Sequence, residues 1–469
     1  MHLNLLRQQD GRRYSTYFCI FVLTFVLCLI GAHTRLSAIE LSVFWPVNVI
    51  DAALFYRLRL VRNPWCHASA YAAMVAQDSL SQGWGIDALT INAANIVFIF
   101  VLGELLSRST PVNQRRADIT GFFHTVLACL AAAALCAVAG ALAQQASGFA
   151  VARFDQALLS WFSEEFYTAM LCLPILLTLR GTFTVRLPAI TWKNTLPLLS
   201  LVASLGLSTL VGPFAILVLP LPALTWCAVT YPLWLVQLIT LCTGCLQLIM
   251  AAGHLHDVYS RWGETFIHEI AILRICIAAT IFSPLLMAIN AGTIRQLNRR
   301  LIRQASYDFL TNTLSRYGLT EALNQYGASH AYRNATVNIM LIDVDHFKSI
   351  NDNFGHVCGD DVLKRIAAII NHAAPTPGLV GRIGGEEFVV VCFDYAPQTF
   401  YALADALRQT IADTPFDCGQ QRVSITISIG IAHATEPGSD LESAVQRLFP
   451  RADENLYTAK RQGRNCTVQ

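Results

Sequence analysis

Long apolar runs, separated by short polar connections, dominate the first 290 residues of the chain. About ten runs approach the roughly 20 residues that a helix needs to cross the hydrocarbon layer. After the last run the pattern changes to shorter strand-like and helix-like segments. The sequence therefore predicts a multi-pass α-helical membrane domain followed by a globular α/β domain. The runs lie at 14–33, 39–57, 66–81, 88–106, 120–143, 165–180, 195–211, 213–230, 232–252 and 267–291.

The composition agrees with this division. Hydrophobic residues make up 54% of the 469 residues and charged residues 14%, whereas soluble domains carry about 25% charge. Residues 295–469 hold 17 of the 33 Lys and Arg and 18 of the 31 Asp and Glu. With a net charge of +2 and no basic run, we expect no nucleic-acid partner.

The 14 cysteines show no spacing typical of a disulfide framework. Most lie in apolar runs, for example Cys19, Cys28, Cys129, Cys136 and Cys276, and we interpret them as small buried side chains. Cys242 and Cys245 have CxxC spacing without a second pair or a His partner, which leaves a metal or redox role as the weaker alternative.

Basic residues are concentrated in alternate connections between the runs. They occur before the first run, where Arg12 and Arg13 lie, and in every second connection up to Arg299 and Arg300. Because basic loops stay on the cytoplasmic side, we expect both termini in the cytoplasm and an even number of spans. The first run is interpreted as a retained anchor rather than a cleaved signal peptide.

Several polar residues lie within the apolar runs, where charges are costly and commonly mark function. Asp51, in WPVNVIDAALFY, is the best candidate for a ligand site, whereas Asp78 and Glu104 are interpreted as interfacial residues at span ends. A His-x-His-Asp group in the connection 253–266 could bind a metal, although solvated loop polarity is the favoured interpretation. The other polar residues considered are Asn92, Asn95, Arg274, His254, His256, Asp257 and Glu264.

Gly292 to Ser306 connects the two halves and has apolar residues at helical spacing, including Ile294, Leu297 and Leu301. This seam predicts a helix. Two copies could pair as a short coiled coil, which we favour, or the helix could lie on the membrane surface.

The C-terminal part reads as strands that end in carboxylates, separated by helices. The run VNIMLIDV leads to Asp343 and Asp345, and LVGRI and EFVVVCF form two strands joined at Gly384 and Gly385. Val423–Ala434 is predicted as one further strand. Helical patterns at 359–374, 399–413 and 443–463 complete an α/β sandwich with a mostly antiparallel sheet.

Asp343 and Glu386 converge if their strands are neighbours in this sheet. Two carboxylates that leave room for phosphate oxygens suit magnesium, and Gly384 and Gly385 allow a triphosphate to approach the backbone. Each feature alone has a structural explanation, since most Gly-Gly pairs are only turns. The other residues suited to a nucleotide are Lys348, Lys460 and Arg464 for phosphates, and Asn351 and Asp360 for a purine edge.

Ser306–Gln469 resembles the GGDEF domain of diguanylate cyclases. The resemblance rests on DFLT from Asp308, DVDHFKSINDNFGHVCGDDVL from Asp343, RIGGEEF from Arg382, SIG from Ser428 and ADENLYTAKRQGRN from Ala452. It implies a ferredoxin-like palm fold and the condensation of two GTP molecules into cyclic di-GMP with release of two pyrophosphates.

The resemblance also implies the roles of the site residues. Asp343, the carbonyl of Val344 and Glu386 would bind two magnesium ions, or manganese, and Glu386 would also assist removal of the 3′-hydroxyl proton. Asn351, His356 and Asp360 would contact guanine and ribose, while Lys348, Lys460 and Arg464 would contact phosphates. Because one domain holds one GTP, a homodimer through this domain and the linker helix is expected.

The first 110 residues or so, including FWPVNVIDAALFYRLRLVRNPW, resemble MASE-type membrane sensor domains. Together the resemblances imply a membrane sensor at 1–291, a signalling helix at 292–305 and a GGDEF domain at 306–469, located in a bacterial inner membrane. A GTP-binding regulator without catalysis and a transporter with a regulatory tail are the alternatives.

Three departures from the family pattern are visible in the C-terminal part. Asn312 and Ser315 replace the usual Gly and Asn after the Asp-x-Leu-Thr motif, where we expect altered packing without loss of activity. GGEEF keeps a carboxylate at the position of the usual Asp. Pro375 and Gly378 occupy the places of the inhibitory Arg and Asp, so product inhibition at that site is expected to be absent.

Overall fold

The computed structural model describes residues 2–32, 44–109, 119–146, 153–178, 191–259, 263–327, 336–419, 421–434 and 441–469. The chain divides into two compact units, Met1–Arg295 and Gln296–Gln469. Each unit has its own buried apolar clusters.

The N-terminal unit is built from helices whose apolar side chains form one large core and a smaller one. The helices are α1 (His2–Ala32), α2 (Val47–Arg57), α3 (Pro64–Gln82), α4 (Ile86–Ser109), α5 (Ile119–Ala146), α6 (Phe154–Thr178), α7 (Trp192–Val211), α8 (Pro213–Val218), α9 (Pro220–Thr230), α10 (Leu233–Tyr259) and α11 (Gly263–Ser306).

Seven stretches among the described residues are long and apolar enough to cross a membrane, which makes this unit a membrane domain. They are Tyr14–Ala32, Ile86–Arg108, Ile119–Ala146, Trp192–Val211, Pro213–Thr230, Leu233–Leu255 and Ile267–Ser306.

The seven stretches are fewer than the ten runs expected from the sequence. The run 39–57 lies partly outside the described residues, and the helix within it, α2, has only 11 residues. The run 66–81 falls in α3 and the run 165–180 overlaps α6. α6 carries Glu164 and Glu165 and is largely buried inside the unit, so much of its apolar surface faces protein.

The polar residues of this unit differ in their surroundings. Glu104 accepts hydrogen bonds from Arg62 at 2.7 Å and Arg108 at 3.0 Å. Asp51 is buried and accepts a hydrogen bond from Thr24 Oγ1 at 2.9 Å. Of the His-x-His-Asp connection, the side chains of His256, Asp257 and Glu264 lie outside the described residues, and His254 lies half-buried on α10.

The interpretation of the cysteines is only partly correct. Cys28, Cys129 and Cys136 are buried thiols outside any disulfide, whereas Cys19 is exposed. A disulfide joins Cys358 and Cys418, whose Cα atoms are 5.3 Å apart across 60 residues of sequence. Spacing could not reveal this pair because the two cysteines meet only through the tertiary fold.

A five-stranded sheet organises the C-terminal unit, in the order β2-β3-β1-β6-β7. The strands are β1 (Val337–Val344), β2 (Gly378–Arg382), β3 (Glu387–Phe393), β4 (Pro415–Cys418), β5 (Gln421–Ser424), β6 (Ile427–Ala434) and β7 (Thr467–Val468), with β4 and β5 forming a separate hairpin. The helices are α12 (Arg316–Gly327), α13 (Phe347–Ala373), α14 (Pro397–Asp413) and α15 (Leu441–Arg461).

The central strand β1 pairs antiparallel with β3 and β6, and all eight of its residues are buried. Its alternate side chains enter different cores, since successive residues of a strand face opposite sides. Ile342 packs in the cluster that contains α13 and α14, whereas Leu341 packs in the cluster that contains α12 and α15. The apolar run therefore forms the centre of a sandwich, as its sequence predicts.

Two local predictions are wrong. Val423–Ala434 is not one strand, because the chain leaves the β4–β5 hairpin at Ser424 and enters the main sheet only at Ile427. The helical pattern assigned to 359–374 begins earlier, at Phe347, and bends at Gly355, where φ is 82°.

The linker residues continue α11 without a break to Ser306. Ile294, Leu297 and Leu301 are 58%, 54% and 52% exposed, so the seam expected from the sequence is an uncovered apolar stripe on a helix.

Substitution of Gly430 by Ala should destabilise the C-terminal unit by about 3 kcal/mol, since overpacking a close helix–sheet contact forces the backbone apart. A Cβ atom on Gly430 would lie 2.1 Å from Ala452 O and 2.2 Å from Leu456 N of α15. The same substitution at Gly292, where a Cβ meets nothing within 4 Å, serves as the control. Pulse proteolysis in urea measures both; equal stability of the two variants would contradict the packing described.

Candidate active site

Two carboxylates approach each other at the edge of the sheet where β1 ends. Asp343 lies near the end of β1, where it pairs with Glu387 of β3 and with Ser428 of β6. Glu386 lies in the turn before β3, and its carbonyl accepts a hydrogen bond from Val344 N at 3.3 Å. The antiparallel pairing of β1 with β3 thus brings Asp343, Val344 and Glu386 together, as expected from the sequence.

The electrostatics of the two carboxylates reflect this proximity. Partial burial raises the pKa of Glu386, and the negative charge of Asp343 raises it further. Burial likewise raises the pKa of Asp343, although Lys460 acts in the opposite direction. Both groups would gain from a cation placed between them.

The end of α15 supplies positive charge to the same edge. Lys460 Nζ lies 2.8 Å from Asp343 Oδ2, and the charge of Arg464 also acts to lower the pKa of Asp343. Arg464 and Asn465 follow the helix in left-handed conformations, with φ of 64° and 44°. This turn ends the helix beside the carboxylates.

Asp345 fixes this turn, a role that the sequence analysis did not assign. Its buried carboxylate accepts hydrogen bonds from Thr426 Oγ1 and Ser428 Oγ, both at 2.7 Å, and from the backbone N of Asn465 at 3.1 Å. One side chain therefore ties the end of β1 to β6 and to the segment that carries Arg464. The Asp-x-Asp pattern at the end of β1 was the available signal.

Arg382 holds the glycine turn and was also unassigned. Its Nε and Nη2 donate to the carbonyl of Gly385 at 3.1 and 2.5 Å, and its Nη1 lies 2.9 Å from Asp308 Oδ1. A Cβ on Gly385 would meet nothing within 4 Å, whereas one on Gly384 would meet the carboxylate of Glu387. The turn therefore presents open space at Gly385, beside Glu386.

The two departures after Asp308 have local explanations. Asn312 adopts φ of 54°, a conformation that Asn tolerates better than most non-glycine residues. Ser315 Oγ accepts a hydrogen bond from Gly318 N at 3.0 Å, which caps the start of α12 as an Asn would. Both substitutions keep the backbone function of the residues they replace.

The remaining predicted residues lie on α13, which follows β1. Lys348, His356 and Asp360 are exposed, and Asn351 is half-buried with its side chain against Gly359. The helix starts after His346, whose left-handed φ of 55° turns the chain away from the strand. These four residues share one helix, and the structure alone does not bring them into contact with the carboxylate pair.

The two carboxylates suit a divalent cation that takes its remaining ligands from water or bound phosphate groups. The described residues contain no group of three or more His, Cys, Asp and Glu side chains able to hold a metal by themselves. Magnesium typically keeps few protein carboxylates and takes its other oxygens from water and phosphates. The ammonium group of Lys460 lies beside Asp343, which indicates that positive charge is favoured at this position.

Comparisons with known proteins identify relatives of this chain. The family profile "Diguanylate cyclase, GGDEF domain" matches residues 305–466. "Probable diguanylate cyclase DgcF" of Escherichia coli O157:H7 is 34% identical over 460 residues, 98% of this chain and 95% of that protein. Its counterpart in Escherichia coli strain K12 is 35% identical over 66% of this chain and 96% of its own length.

Among solved structures, the coiled coil and GGDEF domain of DgcB from Caulobacter crescentus, in complex with c-di-GMP, is similar over 38% of this chain and 93% of that chain. The sequence identity is 28% and the TM-score 0.34.

Replacement of Glu386 by Gln should stabilise the C-terminal unit at neutral pH without divalent cations. Because folding raises the pKa of Glu386, the wild type loses stability as the pH rises above the ordinary value of 4.5 and the group ionises. The variant cannot ionise, so its melting temperature should exceed that of the wild type by on the order of 1–2 °C at pH 7. Thermal unfolding from pH 4 to 8 measures the difference, which should vanish at pH 4; a variant less stable at every pH would refute it.

Replacement of Asp345 by Asn should loosen the turn at Arg464 and Asn465, because an amide NH2 group would face donors that need an acceptor. We expect a loss of about 2 kcal/mol. Faster hydrogen exchange at 463–466 provides the measurement. Asp361→Asn, an exposed position paired only with Lys364 in the described contacts, is the control. Unchanged exchange in Asp345→Asn would contradict the anchoring role.

Proposed function

The chain belongs to the GGDEF family of diguanylate cyclases, and from this premise we propose that it condenses two GTP molecules into cyclic di-GMP and two pyrophosphates. The observation that carries the proposal is the convergence of Asp343 and Glu386 beside the open turn at Gly385. The fold class proposed for the C-terminal unit is the ferredoxin-like palm that the family resemblance implies.

Asp343, the carbonyl of Val344 and Glu386 would hold magnesium, two ions per site, or manganese in its place. The bound metal would stabilise charge on the phosphate oxygens and activate the attacking hydroxyl. Glu386, whose raised pKa suits proton uptake, would accept the proton of the 3′-hydroxyl or hold the metal that promotes its loss. The hydroxyl oxygen then bonds to the α-phosphorus of the other GTP, and pyrophosphate leaves.

Positive side chains would steady the phosphates during this transfer. Lys460 and Arg464 lie on the carboxylate side, and Lys348 projects from the start of α13. Lys460, whose Nζ lies beside Asp343 Oδ2, would contact a phosphate oxygen of the bound nucleotide. Asn351, His356 and Asp360 would bind guanine and ribose, which fits the exposure of His356 and Asp360 on α13.

Each domain would hold one GTP, so two copies must face each other for both bonds to form. The exposed stripe of Ile294, Leu297 and Leu301 on α11 supports pairing of the linker helices, since an uncovered apolar seam at helical spacing favours a coiled coil. The membrane domain, of the MASE type, would set the geometry of this pair and thereby the output.

Two further proposals concern the location of the protein and its regulation. The distribution of basic residues supports a bacterial inner-membrane protein with both termini in the cytoplasm and an even number of spans, up to about ten. Pro375 and Gly378 supply neither the Arg nor the Asp of the inhibitory motif, so product inhibition there should be absent.

The direct test is synthesis of cyclic di-GMP by the full chain in lipid nanodiscs supplied with GTP and magnesium. The wild type should form product, and Glu386→Ala should reduce the rate at least 100-fold, because the metal loses a ligand and the hydroxyl its base. Glu454→Ala, an exposed carboxylate of α15, should leave the rate unchanged. Retained GTP binding without product in the wild type would instead indicate a GTP-binding regulator.

A further inference from the structure

A continuous chain of polar side chains crosses the interior of the membrane domain. Asn48 of α2 donates hydrogen bonds to Glu165 Oε1 of α6 at 2.5 Å and to Asn95 Oδ1 of α4 at 3.0 Å. Asn95 donates to Asn92 Oδ1 at 3.2 Å, and Asn92 donates to Asp78 Oδ2 of α3 at 2.7 Å. Four helices thus meet through side chains that the apolar core surrounds.

The hydrogen bonds between these polar side chains use their donor groups. Several buried oxygen atoms nearby have no hydrogen-bond partner among the described residues. Both hydrogen bonds of Asn48 come from its Nδ2, and its Oδ1 is buried with no hydrogen-bond partner among the described residues. Asn48 is 0% exposed. Two further oxygen atoms are buried without a hydrogen-bond partner among the described residues. They are Thr168 Oγ1, one helical turn after Glu165, and Asp51 Oδ1, one turn after Asn48. Buried acceptors without donors are rare and costly.

The same region concentrates negative charge. Glu165 is 3% exposed and adjoins Glu164 in sequence, while Arg274 Nη1 of α11 lies 4.0 Å from Glu164 Oε2. One guanidinium therefore faces two neighbouring carboxylates. A second carboxylate in a low-dielectric interior needs a compensating positive charge.

We propose that Asn48, Glu165 and Thr168, with Asp51 alongside, form a binding site for a small monovalent cation. Amide, hydroxyl and carboxylate oxygens replace the hydration shell of such an ion, as carbonyl oxygens do in cation filters. A single positive charge, added to that of Arg274, balances the neighbouring carboxylates of Glu164 and Glu165. The shared chemistry covers an alkali-metal ion and an ammonium ion, which the experiment separates.

Occupancy of this site has a route to the rest of the protein. Arg274 lies on α11, the helix that continues to Ser306. A cation beside Glu165 weakens the attraction between Glu164 and Arg274, because it opposes the field that the carboxylates exert on the guanidinium. The binding site stands without the proposed function, whereas an effect on cyclic di-GMP output rests on it.

The test measures binding to the full chain in lipid nanodiscs with choline chloride replaced stepwise by sodium, potassium or ammonium chloride at constant ionic strength. At least one ion should raise the melting temperature of the membrane domain with the logarithm of its concentration, by on the order of 5 °C at 100 times its dissociation constant. Equal traces in all four salts would overturn the proposal. Line broadening of ²³Na by the wild type, displaced by the preferred ion, gives a second measurement that needs no variant.

Glu165→Gln keeps the acceptor for Asn48 but removes the charge. The shift in melting temperature that the preferred ion causes should therefore fall at least tenfold. Glu104→Gln removes a carboxylate bound by Arg62 and Arg108 away from the cluster and should keep the full shift. An ion-specific shift that survives Glu165→Gln would place the cation elsewhere and refute the assignment. Cyclic di-GMP synthesis in the same salts is recorded separately, so a catalytically silent chain that still binds the ion contradicts the proposed function alone.

Discussion

The close approach of Asp343 and Glu386 is the constraint on which the C-terminal unit depends. Antiparallel pairing of β1 with β3 places Asp343 near the end of β1 beside Glu386, which lies in the turn before β3. Burial raises the pKa of both carboxyl groups, and the charge of Asp343 raises the pKa of Glu386 further. The arrangement therefore makes sense where a cation and nucleotide phosphates complete it.

Three side chains hold this arrangement in place from different directions. Asp345 joins β1 to β6 and to the turn after α15, Arg382 joins the glycine turn to Asp308, and Lys460 balances Asp343 directly. None of the three bonds lies within one element. The geometry of the site is consequently a product of the sheet order β2-β3-β1-β6-β7 and not of a single loop.

Periodicity predicted much of this architecture, because long apolar helices and buried strands each carry a strong pattern. The strand ending at Asp343 and the turn at Gly384 and Gly385 were identified correctly. The break between Ser424 and Ile427 was not, because β-branched residues continue through it and only pairing partners distinguish the two strands. Asp345 and Arg382 act through residues 74 to 120 positions away, which one sequence without its fold does not connect.

The membrane domain shows the same limit. Asp51 was singled out from sequence, whereas Asn48 and Glu165 become informative only when α2 and α6 are seen side by side. Burial of α6 within the unit also explains how this helix tolerates Glu164 and Glu165, since much of its surface faces protein.

The most direct test of the central claim is binding of Mn²⁺, followed by electron paramagnetic resonance, to the full chain in the presence of a non-hydrolysable GTP analogue. If Asp343 and Glu386 bind divalent cations over the phosphates, the analogue should tighten Mn²⁺ binding to the wild type, and Asp343→Asn should weaken it at least tenfold. The same Mn²⁺ affinity in both proteins would contradict the account.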